Sequence, residues 1–378
     1  MNLEIRISES EKLNRKESFE KVLALVRSEL WQKPLTCAIS AEEVEEILKV
    51  AREQSVSGLV ANAIVNNQLP IGEDLTLEVC AVQRLHEKKN REMNAEIAQF
   101  AGFLNRRNLG YVIMKGQTMA ALYPNPLMRS SGDIDFYCPK TSFEAVQKAI
   151  EDRLGIVMKH NGSERHDTFR INGYSFEMHS DLTIFNAPSH QKYWESFIDD
   201  AIKAEPHRIP IGGEPVPILS PTVDAVFIFA HLMGHFMETG LGMKQLCDWA
   251  MVLHRHRDAI DRKRLDECLT GVGLKKACLC VGAWLVEKLG FPEKDFPFPL
   301  TAKHKSWVKT LHSNLEKMRG EGIDLDEKVG HRVSFLHSLG TAMIVAKQTL
   351  RFLPLAPKEM LWRIPMMAVW SVKKRVIS

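Results

Sequence analysis

Apolar positions in the first hundred residues recur at helical spacing. From Lys16 to Leu30 the residues Phe19, Val22, Leu23, Leu25 and Val26 form one stripe, and Pro34 marks the break after it. Ser40 with Glu43 three residues on is a capping-box pattern, so a second helix is predicted over Ala41 to Arg52. Val56 to Asn66 and Leu75 to Arg107 continue the helical pattern. The last of these carries Leu85, Met93, Ile97, Phe100 and Leu104 and is long enough to act as a strut across a domain. Nothing in this region clusters chemical groups, so its predicted role is structural.

The period changes near Leu109. Val112-Ile113-Met114 is a short apolar run that ends at Lys115-Gly116, followed by a helical stretch from Gln117 to Tyr123 and two prolines. Asp133-Ile134-Asp135-Phe136 then alternates like a strand. A helix is predicted over Pro139 to Arg153, started by Thr141 or Ser142 and ended by Gly155. Three β-like runs follow, Ile156 to His160, Asp167 to Ile171 and Tyr174 to His179, separated by Asn161-Gly162 and Asn172-Gly173. Asn-Gly between such runs signals a hairpin. The pattern predicts a mixed sheet in which the strand of Asp135 and the strand of Glu177 can be neighbours. From Pro221 the period is helical again, over Thr222 to Met237, Gly242 to Arg255, Lys275 to Leu289, His304 to Arg319 and Arg332 to Phe352. The predicted organisation is α+β: a helical lobe over residues 1–108, a mixed-sheet core over 109–219 and a second helical lobe over 220–378.

Alternation puts Asp133 and Asp135 on one side of their strand, and Ile134 and Phe136 on the other. Two carboxylates ~7 Å apart along a strand repel unless a cation sits between them. By itself an Asp-x-Asp is most often solvated surface. Here it follows a strand, a glycine turn that opens a helix, and a loop. That order of parts suits a nucleoside triphosphate, with backbone amides facing phosphate and paired acids holding a divalent ion.

Met114-Lys115-Gly116, Tyr123-Pro124, Arg129, Gly132-Asp133-Ile134-Asp135 and the Glu177-Met178-His179 element together resemble the nucleotidyltransferase superfamily, in particular a largely uncharacterised bacterial branch. The resemblance extends through the HLMGH and GLGMKQLCDW stretches and covers about residues 20–260. It implies a nucleotidyltransferase-like core in which Asp133, Asp135 and Glu177 bind Mg²⁺ or Mn²⁺ and carry catalysis. It further implies that Lys115, Gly116, Thr118, Arg129, Ser131 and Lys244 contact the nucleotide. The superfamily's commoner Gly-Ser turn is replaced by Gly116-Gln117-Thr118, so a hydroxyl for phosphate has to come from Thr118, Ser130 or Ser131.

Composition adds limits. A formal charge of +3 over 378 residues is too mild to argue for nucleic acid, and no DNA-binding pattern is evident. No apolar run reaches the length of a membrane span, and the polar N-terminus lacks the apolar core of a signal peptide. Seven scattered cysteines suit reduced thiols in a cytoplasm. His231 and His235 stand one turn apart, but without an HExxH pattern they read as structural or substrate-facing residues. The basic, aromatic stretch 360–376 is predicted to dock on the protein's own core, with weak interfacial contact to a membrane or partner as the alternative. The expected activity is transfer of a nucleoside monophosphate from an NTP to an acceptor hydroxyl on a small molecule, RNA or protein, by a two-metal mechanism with release of pyrophosphate. Two alternatives stand beside it: an Asp-x-Asp glycosyltransferase, and a non-catalytic descendant that binds a nucleotide or a protein.

Overall fold

The computed structural model describes residues 9–158, 166–202, 207–238, 242–317, 349–363 and 365. The predicted Asn161-Gly162 turn, most of the helix predicted over Arg332 to Phe352, and most of the stretch 360–376 lie outside them.

Four helices open the chain: α1 (Glu9–Trp31), α2 (Ala41–Glu53), α3 (Ser57–Asn66) and α4 (Glu73–Asn105). Ser40 and Glu43 form the predicted capping box at the start of α2. At 33 residues α4 is about 50 Å long, and it crosses the molecule as the predicted strut. Its buried stripe is Met93, Ile97, Phe100 and Leu104, while Leu85 is exposed.

The sheet region follows as β1 (Val112–Met114), α5 (Gly116–Ala120), β2 (Ile134–Tyr137), α6 (Phe143–Leu154), β3 (His166–Ile171), β4 (Tyr174–His179), α7 (Pro188–Ile202), β5 (His207–Ile211) and β6 (Glu214–Ile218). Six strands run in the order β3-β4-β2-β1-β6-β5. The architecture is thus α+β with a mixed sheet, as expected: β2 lies parallel to β4 and antiparallel to β1. Ile156 to Met158 form no strand. Gly155 ends α6, as predicted, and does so in the left-handed conformation.

The β5–β6 hairpin and α7 are absent from the sequence pattern. Pro210, Pro215 and Pro217 argue against strands, because proline cannot donate to a ladder. The sheet tolerates them because β5 is an edge strand and β6 pairs with the three-residue β1 at Ile218 alone.

The C-terminal half begins with α8 (Pro221–Glu238), α9 (Met243–Arg255), α10 (Arg262–Gly271) and α11 (Lys275–Trp284), which passes into a π-helical turn, Leu285–Leu289. Then come α12 (Ala302–Lys305) and α13 (Val308–Lys317), which divide the single helix predicted over His304 to Arg319. Among the described residues no single helix is long and apolar enough to cross a membrane.

Two hydrophobic clusters hold the fold. One face of the sheet, with Ile113, Ile134, Phe136, Phe169, Phe176 and Met178, packs on the C-terminal half of α4 and on α6. Phe100 stands at its centre, 5.0 Å from the ring of Phe136 and 4.9 Å from that of Phe176. Each such fully buried aromatic contributes about 1.5–3 kcal/mol. The second cluster joins α1–α3 to α8–α11, so helices from the two ends of the chain share one core. Val112, Met114 and Tyr137, on the opposite sheet face, belong to it. The sheet face that carries Asp135 and Glu177 therefore looks toward α8 and α9.

Candidate active site

Register brings the acids together. β2 and β4 are parallel with Asp135 beside Glu177 and Tyr137 beside His179. Side chains at paired positions share a face, and a step of two residues returns to it. Asp135, Glu177 and His179 consequently converge. One donor atom from each lies within 4.8 Å of the other two. The His179 Nε2 is 2.8 Å from Asp135 Oδ1 and 3.6 Å from Glu177 Oε2. Asp133 precedes the first residue of β2, at the exposed rim.

Lys115 approaches from the other side. It follows β1 with φ +56°, and Gly116 after it has φ +42°. Two successive positive φ values make a tight turn, in which the non-glycine Lys115 is held at a cost of order 1–3 kcal/mol. The turn aims the Lys115 ammonium at Asp135, with Nζ 3.1 Å from Oδ1.

The electrostatics follow from this geometry. Burial alone would raise the Asp135 carboxyl, but Lys115 and His179 outweigh it and hold the group well below the usual carboxylate range. Burial opposes the charge on His179, and hydrogen bonding to Asp135 and Glu177 overcomes it, so its pKa is raised. Asp133 opens to solvent at the rim, yet loss of hydration between the walls pushes its carboxyl up. The nearby charges of Asp135 and Glu177 push it the same way.

Lys115, Asp133, Asp135 and Glu177 line a cavity of about 270 Å³. Lys115, Gly116, Asp133, Asp135 and Glu177 form the sheet side, and His231, His235 and Lys244 come from α8 and α9. His231 and His235 lie with their Nε2 atoms 3.1 Å apart. Lys244 is positioned by the end of α2: Gln54 accepts the Met243 N–H at 3.0 Å through its side chain and the Lys244 N–H at 3.3 Å through its carbonyl.

Arg129 also lines the cavity, but its guanidinium grips Asp248 of α9, with Nε and Nη2 each donating at 2.7 Å. Tyr123 donates its hydroxyl to the same carboxylate at 2.7 Å. Thr118 and Ser131 are outside the cavity lining. The Thr118 hydroxyl donates to the Lys115 carbonyl at 2.7 Å, and Ser131 is bonded to Asn90 and Gln117. The loop before β2 is thus fastened to α4, where Asn90 donates to the carbonyls of Leu127 and Arg129. Asn90, a buried asparagine within a helical stripe, was the available sequence signal for that contact.

Asp224 of α8 lies near Asp248 and is buried. It is in the first helical turn, where the dipole favours a negative charge. Burial outweighs the dipole, and with the Asp248 charge it pushes the carboxyl up to about 8. The folded state then holds a proton that the unfolded chain releases, so stability falls as pH rises from about 4 toward 8. Asp224→Asn, neutral throughout, is expected to melt higher than the parent at pH 8, with a gap that closes toward pH 5. A constant gap in thermal melts across that range would refute the assignment.

The sequence pattern of a family described as uncharacterised nucleotidyltransferase matches residues 40–290. No curated protein matches the chain. Among solved structures, an antigenic nucleotidyltransferase-like protein from Paracoccidioides brasiliensis is similar over 53% of this chain and 93% of its own, at 14% identity and a TM-score of 0.30. With its match spanning most of the chain, through the acidic strands and the helices that face them, the protein belongs to that nucleotidyltransferase family.

Proposed function

We propose that this protein transfers a nucleoside monophosphate from a nucleoside triphosphate to the hydroxyl of an acceptor. One observation carries the reading: Asp135 and Glu177, with His179 in reach of both, converge on the sheet side of a cavity that Lys115 shares and that Lys244 faces from α9. Carboxylates beside an imidazole are a donor set that fits a divalent cation. Asp133, Asp135 and Glu177 would hold Mg²⁺ or Mn²⁺, with His179 as a nitrogen donor. Such ions, when bound, supply Lewis-acid stabilisation of the charge on the phosphates.

The chain's own groups do the rest. Lys115 and Lys244 balance the β- and γ-phosphate charge, and the Gly116 turn lets the backbone approach it. Arg129, clamped by Asp248, keeps the loop that carries Asp133 in register with α9. The acceptor oxygen bonds to the α-phosphorus, the bond from that phosphorus to the bridging oxygen breaks, and pyrophosphate leaves with the electron pair. Glu177 takes the acceptor's proton. The seven thiols are unpaired, which suits a reducing cytoplasm.

Calorimetric titration of ATP, GTP, CTP and UTP with Mg²⁺, with Mn²⁺ and without metal tests the reading. Binding should require the metal and be tighter with Mn²⁺, because imidazole is a better ligand for Mn²⁺ than for Mg²⁺. His179→Ala should erase that preference. If none of the four nucleotides binds the parent protein with either metal, the reading fails.

A further inference from the structure

A separate cavity, of about 360 Å³, opens between the ends of β2 and β4 and the helix α7. It shares no lining residue with the cavity of the acids. Its floor includes the rings of Tyr137 and Trp194, 7% and 2% exposed. Tyr137 stands two residues beyond Asp135 on the same strand face, about 7 Å along β2. The cavity therefore begins one row past the acids on the same side of the sheet.

Three carboxylates surround this floor: Asp181 from the chain just after β4, and Glu195 and Asp199 from α7. Glu195 and Asp199 are one helical turn apart, a spacing at which like charges repel. Asp181 accepts the Ser180 hydroxyl at 3.1 Å and Glu195 accepts the Gln191 amide at 2.9 Å, and among the described residues no cationic side chain pairs with any of the three. Lys140 adds one positive charge at the exposed rim, which leaves the lining net negative.

A hydroxyl on so buried a side chain is ordinarily hydrogen-bonded, yet among the described residues that of Tyr137 has no partner. Burial pushes it up to about 12, and the charges of Asp181 and Asp199 push it the same way, so it is protonated with both carboxylates nearby. Its oxygen is left as an acceptor toward the cavity. The carboxylates do not converge: among the described residues they form no group with donor atoms within 4.8 Å of one another, as the grip on a single metal ion would need. Carboxylates spread around aromatic rings fit instead an organic cation, whose ammonium donates three hydrogen bonds and is attracted to ring faces.

We propose that this cavity binds an aliphatic diamine or polyamine. One ammonium is held by Glu195 and Asp199, and a second by Asp181 and the Tyr137 hydroxyl, with the methylene chain against Trp194. The site is independent of the transferase reading, since it needs neither metal nor nucleotide.

Calorimetric titration of putrescine, spermidine, butane-1,4-diol and Ca²⁺ into the full chain, without nucleotide, tests the assignment. At least one amine should bind the parent. The diol, which matches putrescine in length without its charge, should not. Glu195→Gln combined with Asp199→Asn should weaken the amine by about tenfold or more, and Tyr137→Phe, which removes an acceptor and keeps the ring, by about threefold or more. Lys140→Gln takes a like charge from the rim and should tighten binding about twofold, a gain that loss of folding cannot produce. Glu195, Asp199 and Lys140 are exposed, so these variants keep the fold. Failure of both amines to bind the parent, binding of the diol as tightly as putrescine, or equal amine binding by the parent and the double variant overturns the site. Ca²⁺ binding that the double variant loses, with no amine binding, gives the carboxylates to a metal ion and overturns it as well.

Discussion

Asp133→Asn is expected to abolish metal-dependent nucleotide binding and turnover while leaving the metal-free protein at least as stable as the parent. The two effects have one origin. Without a divalent ion, Asp133 is a carboxylate in a partly dehydrated cavity beside Asp135 and Glu177, and its raised pKa records that strain. Asparagine removes the repulsion. On the proposed transferase reading the same charge is a metal ligand, and losing a group that stabilises transition-state charge by several kcal/mol would slow turnover about 100-fold or more. A raised carboxyl stabilises the fold at low pH and loses that contribution as pH rises, so the advantage of the variant should grow as pH rises above the ordinary carboxylate range.

Asp135→Asn should bind nucleotide equally poorly for the opposite electrostatic reason. Its depressed carboxyl neutralises Lys115 and His179, so this variant should lose stability as well as binding. Urea unfolding of both variants, with nucleotide titration in Mn²⁺, reads the two effects together. Metal-dependent binding by Asp133→Asn within threefold of the parent would remove Asp133 from the site.

The second large effect is on the fold. Asp248→Ala is expected to destabilise the protein by about 3–5 kcal/mol, because it leaves the Arg129 guanidinium buried without its carboxylate. Tyr123 loses its acceptor at the same time. The double variant Arg129→Met, Asp248→Leu should recover much of this loss, since apolar pairs of similar volume often replace a buried ion pair without net cost. Urea unfolding of the single and double variants decides it, and an Asp248→Ala loss below about 1 kcal/mol would contradict the pair's structural role.

Recovery of stability need not bring back function. The pair spans 119 residues of sequence and is a buried polar link from the loop before β2 to α9, the helix that delivers Lys244. Arg129 stood in the sequence as a candidate phosphate ligand, a reading in which its position beside the acids decided the role. In the folded protein its best hydrogen bonds go to Asp248, and it lines the cavity with its donors already oriented.

What could be read from residues alone was local. The Ser40 and Glu43 capping box, the Gly155 helix stop and the Asn172-Gly173 turn depend on backbone preferences over a few residues, and each stands as the sequence implied. Alternation over Asp133 to Phe136 and Tyr174 to His179 likewise assigned the acid-bearing and core-facing sides. His179 was visible on the face of Glu177, but nothing local showed that its ring would reach Asp135.

Tertiary structure decided everything that needed partners distant in the chain. The register that sets Asp135 beside Glu177, the hold of Asn90 on the loop before β2 and the capping of α9 by Gln54 each join segments tens to hundreds of residues apart. So does the core shared by α1–α3 and α8–α11. Such contacts form because burial favours whichever surfaces fit once the chain is compact, and that fit has no signature within a window of a few residues. The sequence by itself determined which side chains could do chemistry. Packing decided which of them meet, and placed Thr118 and Ser131 in support of the site while bringing His231, His235 and Lys244 to its wall.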